Sequence, residues 1–148
     1  KKKVIHRDVK PANIIFNAKN NEVKVTDFGI AALTDDSKTR TGTILGSPSY
    51  MSPEQISGKK AAGASDQFSL GVTLYQLLTG HLPFDGDSMA NLMYQITDQT
   101  HKPMRKMRRG IPPCISRIVN KTLQKSPDNR FSNCDAVAEA LRKCVESK

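Results

Sequence analysis

The chain of 148 residues has no tryptophan, and only 37% of its residues are hydrophobic. That suits an ordinary soluble protein, or a piece of a larger core. At this length a single compact domain buries ~68–70% of its unfolded-chain surface. No run approaches the ~20 apolar residues that span a bilayer. The strongest candidate, Phe68 to Leu78, is too short and is interrupted by Gly71 and Gln76. The start, Lys1-Lys2-Lys3-Val4-Ile5-His6, lacks the apolar stretch of a signal peptide. Cysteine is scarce and odd in number: Cys114, Cys134 and Cys144 form no C-x-x-C pair. This argues against a zinc or redox motif and predicts reduced thiols in a cytosolic protein. Acidic residues are outnumbered 14 to 23, leaving a net charge of +9. Such a balance suits anionic partners, but the basic residues look scattered rather than striped. The densest stretch, His101 to Arg109, has no interleaved aromatic to stack on bases. It reads as a solvated loop, with docking of an acidic substrate or partner as the alternative, and no specific nucleic-acid partner is expected.

What is present is organised by period. Val4-Ile5 reads as a β-like pair, and Ile14-Ile15-Phe16 as a strand. Asn17 to Asn21 is a turn cluster, and Glu22 to Thr26 alternates as a half-buried strand does. The two strands form a hairpin with Asn13 at one end and Asp27 at the other. Residues 30–49 lose all periodicity and read as a long loop. Ser52 and Pro53 then open a short helix as N-cap and first residue. Ala64 to Thr79 is the clearest helix, apolar nearly all round and therefore central to a core, and Gly80 ends it. Further helices are predicted at Ser88–Thr97, Pro112–Gln124 and Cys134–Cys144, with Ser88, Ser126 and Ser132 as caps or turn residues.

Three motifs carry chemistry: His6-Arg7-Asp8-Val9-Lys10-Pro11-Ala12-Asn13, then Asp27-Phe28-Gly29, then Ser52-Pro53-Glu54. Each alone is weak, since a loop Asp is usually a turn residue. Together, in this order, they resemble the protein kinase signature set, in the bacterial branch related to eukaryotic Ser/Thr kinases. Ser52 stands where the family usually has Ala. The resemblance implies an α+β, mainly helical fold, the C-terminal lobe of a kinase domain. The catalytic loop would be residues 6–13, the activation segment 27–54 and the helical subdomain 55–148. It implies transfer of the γ-phosphate of ATP to protein Ser or Thr hydroxyls. Asp8 would orient the nucleophile and Lys10 would sit beside the phosphate, a lysine that tyrosine-specific members typically lack. Lys10, Asn13 and Asp27 would bind ATP, with Asn13 and Asp27 as Mg²⁺ ligands. His6 would support the loop and pack near Phe28. Arg7 would sense phosphate on the activation loop, where Thr39 and Thr41 resemble paired autophosphorylation sites and Ser37 and Thr43 are further hydroxyls. Ser47 stands where the family usually has Thr and would bridge toward Asp8 and Lys10. Glu54 and Arg130 match a buried ion pair, and Asp66 matches the carboxylate that braces the catalytic loop.

The family also has a glycine-rich loop, a strand lysine and a helix glutamate upstream, and none of them occurs in this sequence. The expectation is a domain fragment without its N-terminal lobe, inactive in isolation, with exposed apolar surface and a tendency to self-associate. A cytoplasmic location follows, with a membrane anchor elsewhere in the parent protein left open. The alternative is a non-catalytic, kinase-like interaction module, which would keep its partners after Asp8→Asn.

Overall fold

The computed structural model describes residues 4–28 and 47–147. It is mainly helical, with one two-stranded sheet. The hairpin pairs β1 (Ile14–Asn17) with β2 (Glu22–Val25) antiparallel, in a register that sets Ile14 opposite Val25 and Phe16 opposite Val23. The turn between them holds Asn21 at φ +54°, a left-handed conformation that Asn tolerates. Both strands are more exposed than their alternation predicts. Ile15, Phe16 and Val23 are each more than half accessible, because nothing among the described residues covers the hairpin. Val4-Ile5 is not a strand. The backbone that follows it is instead drawn to a helix carboxylate, as described below.

Helix α1 (Pro53–Ile56) begins as the sequence implies. The Ser52 hydroxyl accepts from the Gln55 N–H, and the Gln55 side chain accepts from the Ser52 N–H, satisfying donors on both sides. Helix α2 (Gly63–Thr79) is the centre of the molecule and packs on α4 (Met104–Met107), α5 (Pro113–Thr122) and α6 (Cys134–Glu146). Phe68, Val72 and Tyr75 are fully buried together with Phe84, and with Ile96 from α3 (Met89–Asp98). Gly80 closes α2 at φ +78°, its N–H donating to the Gln76 carbonyl. Its buried face includes Ser65, Gln67, Ser69 and Thr73, while Leu77 is exposed, so the helix is less uniformly apolar in its contacts than its sequence suggests.

Two further sequence expectations are corrected. The stretch from His101 to Arg109 is no free loop: it contains α4, pinned by fully buried Met104, with Met107 and Ile111 also in the core. Two methionines three apart carry that signal, which the surrounding charge obscures. Cys114 and Cys144 are not free thiols but a disulfide, because the start of α5 and the end of α6 lie side by side with Cα atoms 5.8 Å apart. Cys134 alone is free, and exposed. Asn133 caps α6, its side-chain oxygen accepting from the Ala136 N–H, and Ser132 lies in the bend just before it.

Helices α2 and α5 approach each other closely at Gly71. A Cβ at Gly71 would stand 2.3 Å from the Thr122 hydroxyl and 3.0 Å from Leu123. Gly71→Ala is expected to destabilise the fold by ~1–3 kcal/mol through overpacking, despite the better helix propensity of Ala. Denaturant unfolding checks this, and a melt unchanged from the parent would contradict it.

Candidate active site

Asp66, in the first turn of α2, organises the loop before the hairpin. Its two carboxylate oxygens accept the backbone N–H groups of His6 at 2.7 Å and Arg7 at 2.8 Å. These are charge-assisted bonds, and a helix N-terminus favours the carboxylate that makes them. They hold Arg7 at φ +69°, in the left-handed region, so the chain reverses and presents Asp8. His6 is buried beneath. Its Nε2 lies 2.8 Å from the Thr26 carbonyl, and its Nδ1 accepts from the Asp8 N–H at 3.2 Å. A carbonyl can only accept, so Nε2 carries the proton in this arrangement. The His6 ring also packs against Phe28, with centroids 4.7 Å apart.

Around Asp8 the side chains converge. The buried Asn13 amide donates to the Asp8 carbonyl at 2.8 Å and to its carboxylate at 3.1 Å. The Lys10 ammonium sits 3.4 Å from the same carboxylate oxygen and donates to the Ser47 hydroxyl at 2.9 Å. Asp8, Lys10, Asn13 and Ser47 thus form one cluster. Asp27 joins by position: the Thr26 N–H donates to the Asn13 carbonyl at 2.8 Å, which sets the two ends of the hairpin side by side. Asp27 itself is exposed at φ +54° and makes no hydrogen bond to the cluster among the described residues. Thr39, Thr41 and Thr43 lie outside the described residues. Arg7 is half-buried, and its Nε is sealed from solvent without a partner among the described residues.

The segment carrying Ser47 is tied to α2 by contacts that the sequence motifs did not single out. The Ser69 hydroxyl donates to the Tyr50 carbonyl at 2.7 Å, and the Tyr50 hydroxyl bonds the Gln76 side chain. The available signal was a serine on the inner face of an otherwise apolar helix.

Glu54 and Arg130 form the second joint. The guanidinium meets the carboxylate through two parallel bonds of 2.7 and 2.9 Å. Its other N–H groups go to the carbonyls of Ala64, Gln124 and Lys125, so all five donors are satisfied in a site where Arg130 is 4% exposed. The Ser65 hydroxyl adds a bond to Glu54 at 2.9 Å, and the Phe68 ring lies under the guanidinium. Burial, the largest single influence, raises the Glu54 pKa, and the Arg130 hydrogen bonds oppose it. Its own backbone N–H, the Arg130 charge and Ser65 help to leave the carboxyl below its ordinary 4.5.

The loop carboxylate and lysine are thus braced by a helix aspartate and framed by a Glu–Arg pair. The protein kinase domain family model matches residues 1–142. The serine/threonine-protein kinase PknB of Mycolicibacterium smegmatis is 46% identical over 131 residues, covering 86% of this chain and 21% of that protein. PknB of Mycobacterium tuberculosis is 44% identical over the same shares. The serine/threonine-protein kinase pkn3 of Myxococcus xanthus is 40% identical over 149 residues, covering 94% of this chain and 27% of that protein. The chain belongs to the protein kinase domain family. It spans about a fifth to a quarter of the length of these relatives.

Two tests address the frame. Arg130→Ala leaves Glu54 buried and unpaired and is expected to cost ~3–5 kcal/mol in denaturant unfolding; a melt like the parent's contradicts this. The lowered pKa of Glu54 means that its contribution is complete above its unfolded value of 4.5 and is lost as the pH falls through the lower folded value. Melting temperatures from neutral pH into that acid range should therefore fall, and Glu54→Gln should show a shallower drop.

Proposed function

We propose that the chain is the C-terminal lobe of a Ser/Thr protein kinase, which moves the γ-phosphate of Mg·ATP to protein hydroxyls. The observation that carries this reading is the Asp8–Lys10–Asn13–Ser47 cluster, with its distances of 2.8 to 3.4 Å. Asp8 accepts or orients the proton of the acceptor hydroxyl, the acceptor oxygen forms its bond to phosphorus, and the bond to the β-phosphate oxygen breaks to release ADP. Lys10, fixed by Ser47, holds positive charge beside the transferring group and favours Ser or Thr as acceptor. Asn13 and Asp27 fit Mg²⁺, which prefers hard oxygens. The Asn13 nitrogen is engaged with Asp8, which leaves its oxygen as the ligand atom, and Asp27 is an exposed carboxylate at the adjoining hairpin end. Mg²⁺ held there would neutralise charge on the phosphate oxygens.

Arg7, whose Nε has no partner among the described residues, suits pairing with a phosphate on Thr39, Thr41 or Thr43. The exposed apolar residues Ile15, Phe16, Val23 and Phe28 suit packing against the N-terminal lobe of the same domain, or against a second copy where that lobe is absent. Among the described residues no helix is long and apolar enough to cross a membrane. A cytoplasmic domain, anchored through a segment outside this chain or not at all, is the reading we adopt from the kinase assignment alone, since the Cys114–Cys144 disulfide removes the reduced-thiol argument for it.

The test is phosphate incorporation from Mg·ATP by the full-length protein carrying this chain, with phosphoresidues mapped by mass spectrometry. Asp8→Asn should lower turnover by about 10²–10⁴-fold, with phosphate on Ser and Thr including Thr39 or Thr41. Turnover that survives Asp8→Asn would refute the assignment of Asp8, and binding of protein partners without any turnover would favour the non-catalytic module.

A further inference from the structure

Residues 99–127 contain no Asp or Glu and hold eight of the 23 Lys and Arg residues of the chain. Folding gathers what looks scattered in sequence. Helix α4 packs on α5, and its buried Met104 fixes the helix so that Arg105 and Lys106 face solvent. Arg108 is held by a bond of 3.3 Å to the Leu78 carbonyl. On α5, Arg117 and Lys121 stand exposed at helical spacing, opposite buried Ile118 and Val119. None of the eight basic residues takes part in an ion pair among the described residues.

A cavity of about 250 Å³ opens in this surface, between the turn after α3 and the end of α5. Thr100, His101, Asn120, Gln124 and Lys125 line it, and no carboxylate does. The Lys125 ammonium is anchored to the carbonyls of Gln95 and Ile96 at 3.1 and 2.6 Å and lies over the Phe84 ring. Burial, partly offset by the charge of Asp98, brings its pKa down to about 8, so it is still a cation at neutral pH.

We propose that this face docks an acidic, Asp- and Glu-rich segment of a protein partner, with one carboxylate side chain entering the cavity beside Lys125. The flanking basic residues of α4 and α5 pair with the remaining acids. Residues 99–127 include no aromatic residue to stack on bases and no exposed large apolar residue to enter a bilayer. The cavity's amides and hydroxyl are directional donors of the kind that recognise a single carboxylate. The surface is separate from the Asp8 cluster and does not depend on the phosphotransfer reading.

Fluorescence anisotropy of a labelled acidic peptide of ~12 residues against the full-length protein carrying this chain tests the proposal, near physiological salt where screening extends over ~8 Å. The controls are a Gln/Asn version of the peptide, duplex DNA and phosphatidylserine vesicles. The acidic peptide should bind at least about tenfold tighter than each control, and Arg105→Glu with Arg109→Glu should remove that margin. Asn120→Trp, which fills the cavity without changing charge, should weaken binding several-fold, and Asp8→Asn should leave it unchanged. Affinity indifferent to the charge reversal, indifferent to cavity filling, or matched by DNA or vesicles would overturn the proposal.

Discussion

Everything that positions the cluster depends on Arg130 being fully satisfied. Its five donors reach Glu54 at the start of α1, Ala64 at the start of α2 and two carbonyls of the chain leading out of α5. Three segments far apart in sequence thereby share one buried cation. Desolvating a guanidinium is costly, and it is stable here because no N–H lacks an acceptor and the carboxylate opposite is bidentate. The joint fixes where α2 begins, and therefore where Asp66 sits.

From Asp66 the constraint passes to the loop. Two carboxylate oxygens take two consecutive N–H groups, and this fixes the left-handed turn at Arg7. His6 transmits the position onward, because one ring nitrogen faces the Thr26 carbonyl and the other the Asp8 N–H. The hairpin end and the loop are therefore set by a single imidazole. Ser47 approaches from the other side on a segment fastened to α2 through Ser69 and Tyr50. A short hairpin, poorly covered among the described residues, can still hold Asn13 and Asp27 side by side, since both ends are tied to the helical frame and not to the strands' own packing.

Much of this was legible in sequence because it is local or because it is paired chemistry. The Ser52 cap, the Gly80 stop and the hairpin turn follow from residue types that leave few conformations open. Glu54, Arg130 and Asp66 were readable only through resemblance, as nothing in spacing joins residues 76 apart. What escaped the reading shares one cause: partners brought together by tertiary packing. Two methionines among five basic residues looked like a loop until α2 supplied the surface that buries Met104. Two cysteines thirty residues apart looked independent until α5 and α6 lay side by side. Scattered charge became a face in the same way.

The disulfide has a mechanical side. Cys114 and Cys144 close a ring of chain that contains Arg130. Tension applied beyond Cys144 crosses the sulfur–sulfur bond to Cys114 and enters the body of the fold at the start of α5. The intervening chain, with Lys125, Arg130 and most of α5 and α6, lies off that covalent path. A pull on the C-terminal end passes instead to the chain before α5, where buried Ile111 and Met104 hold it in the core.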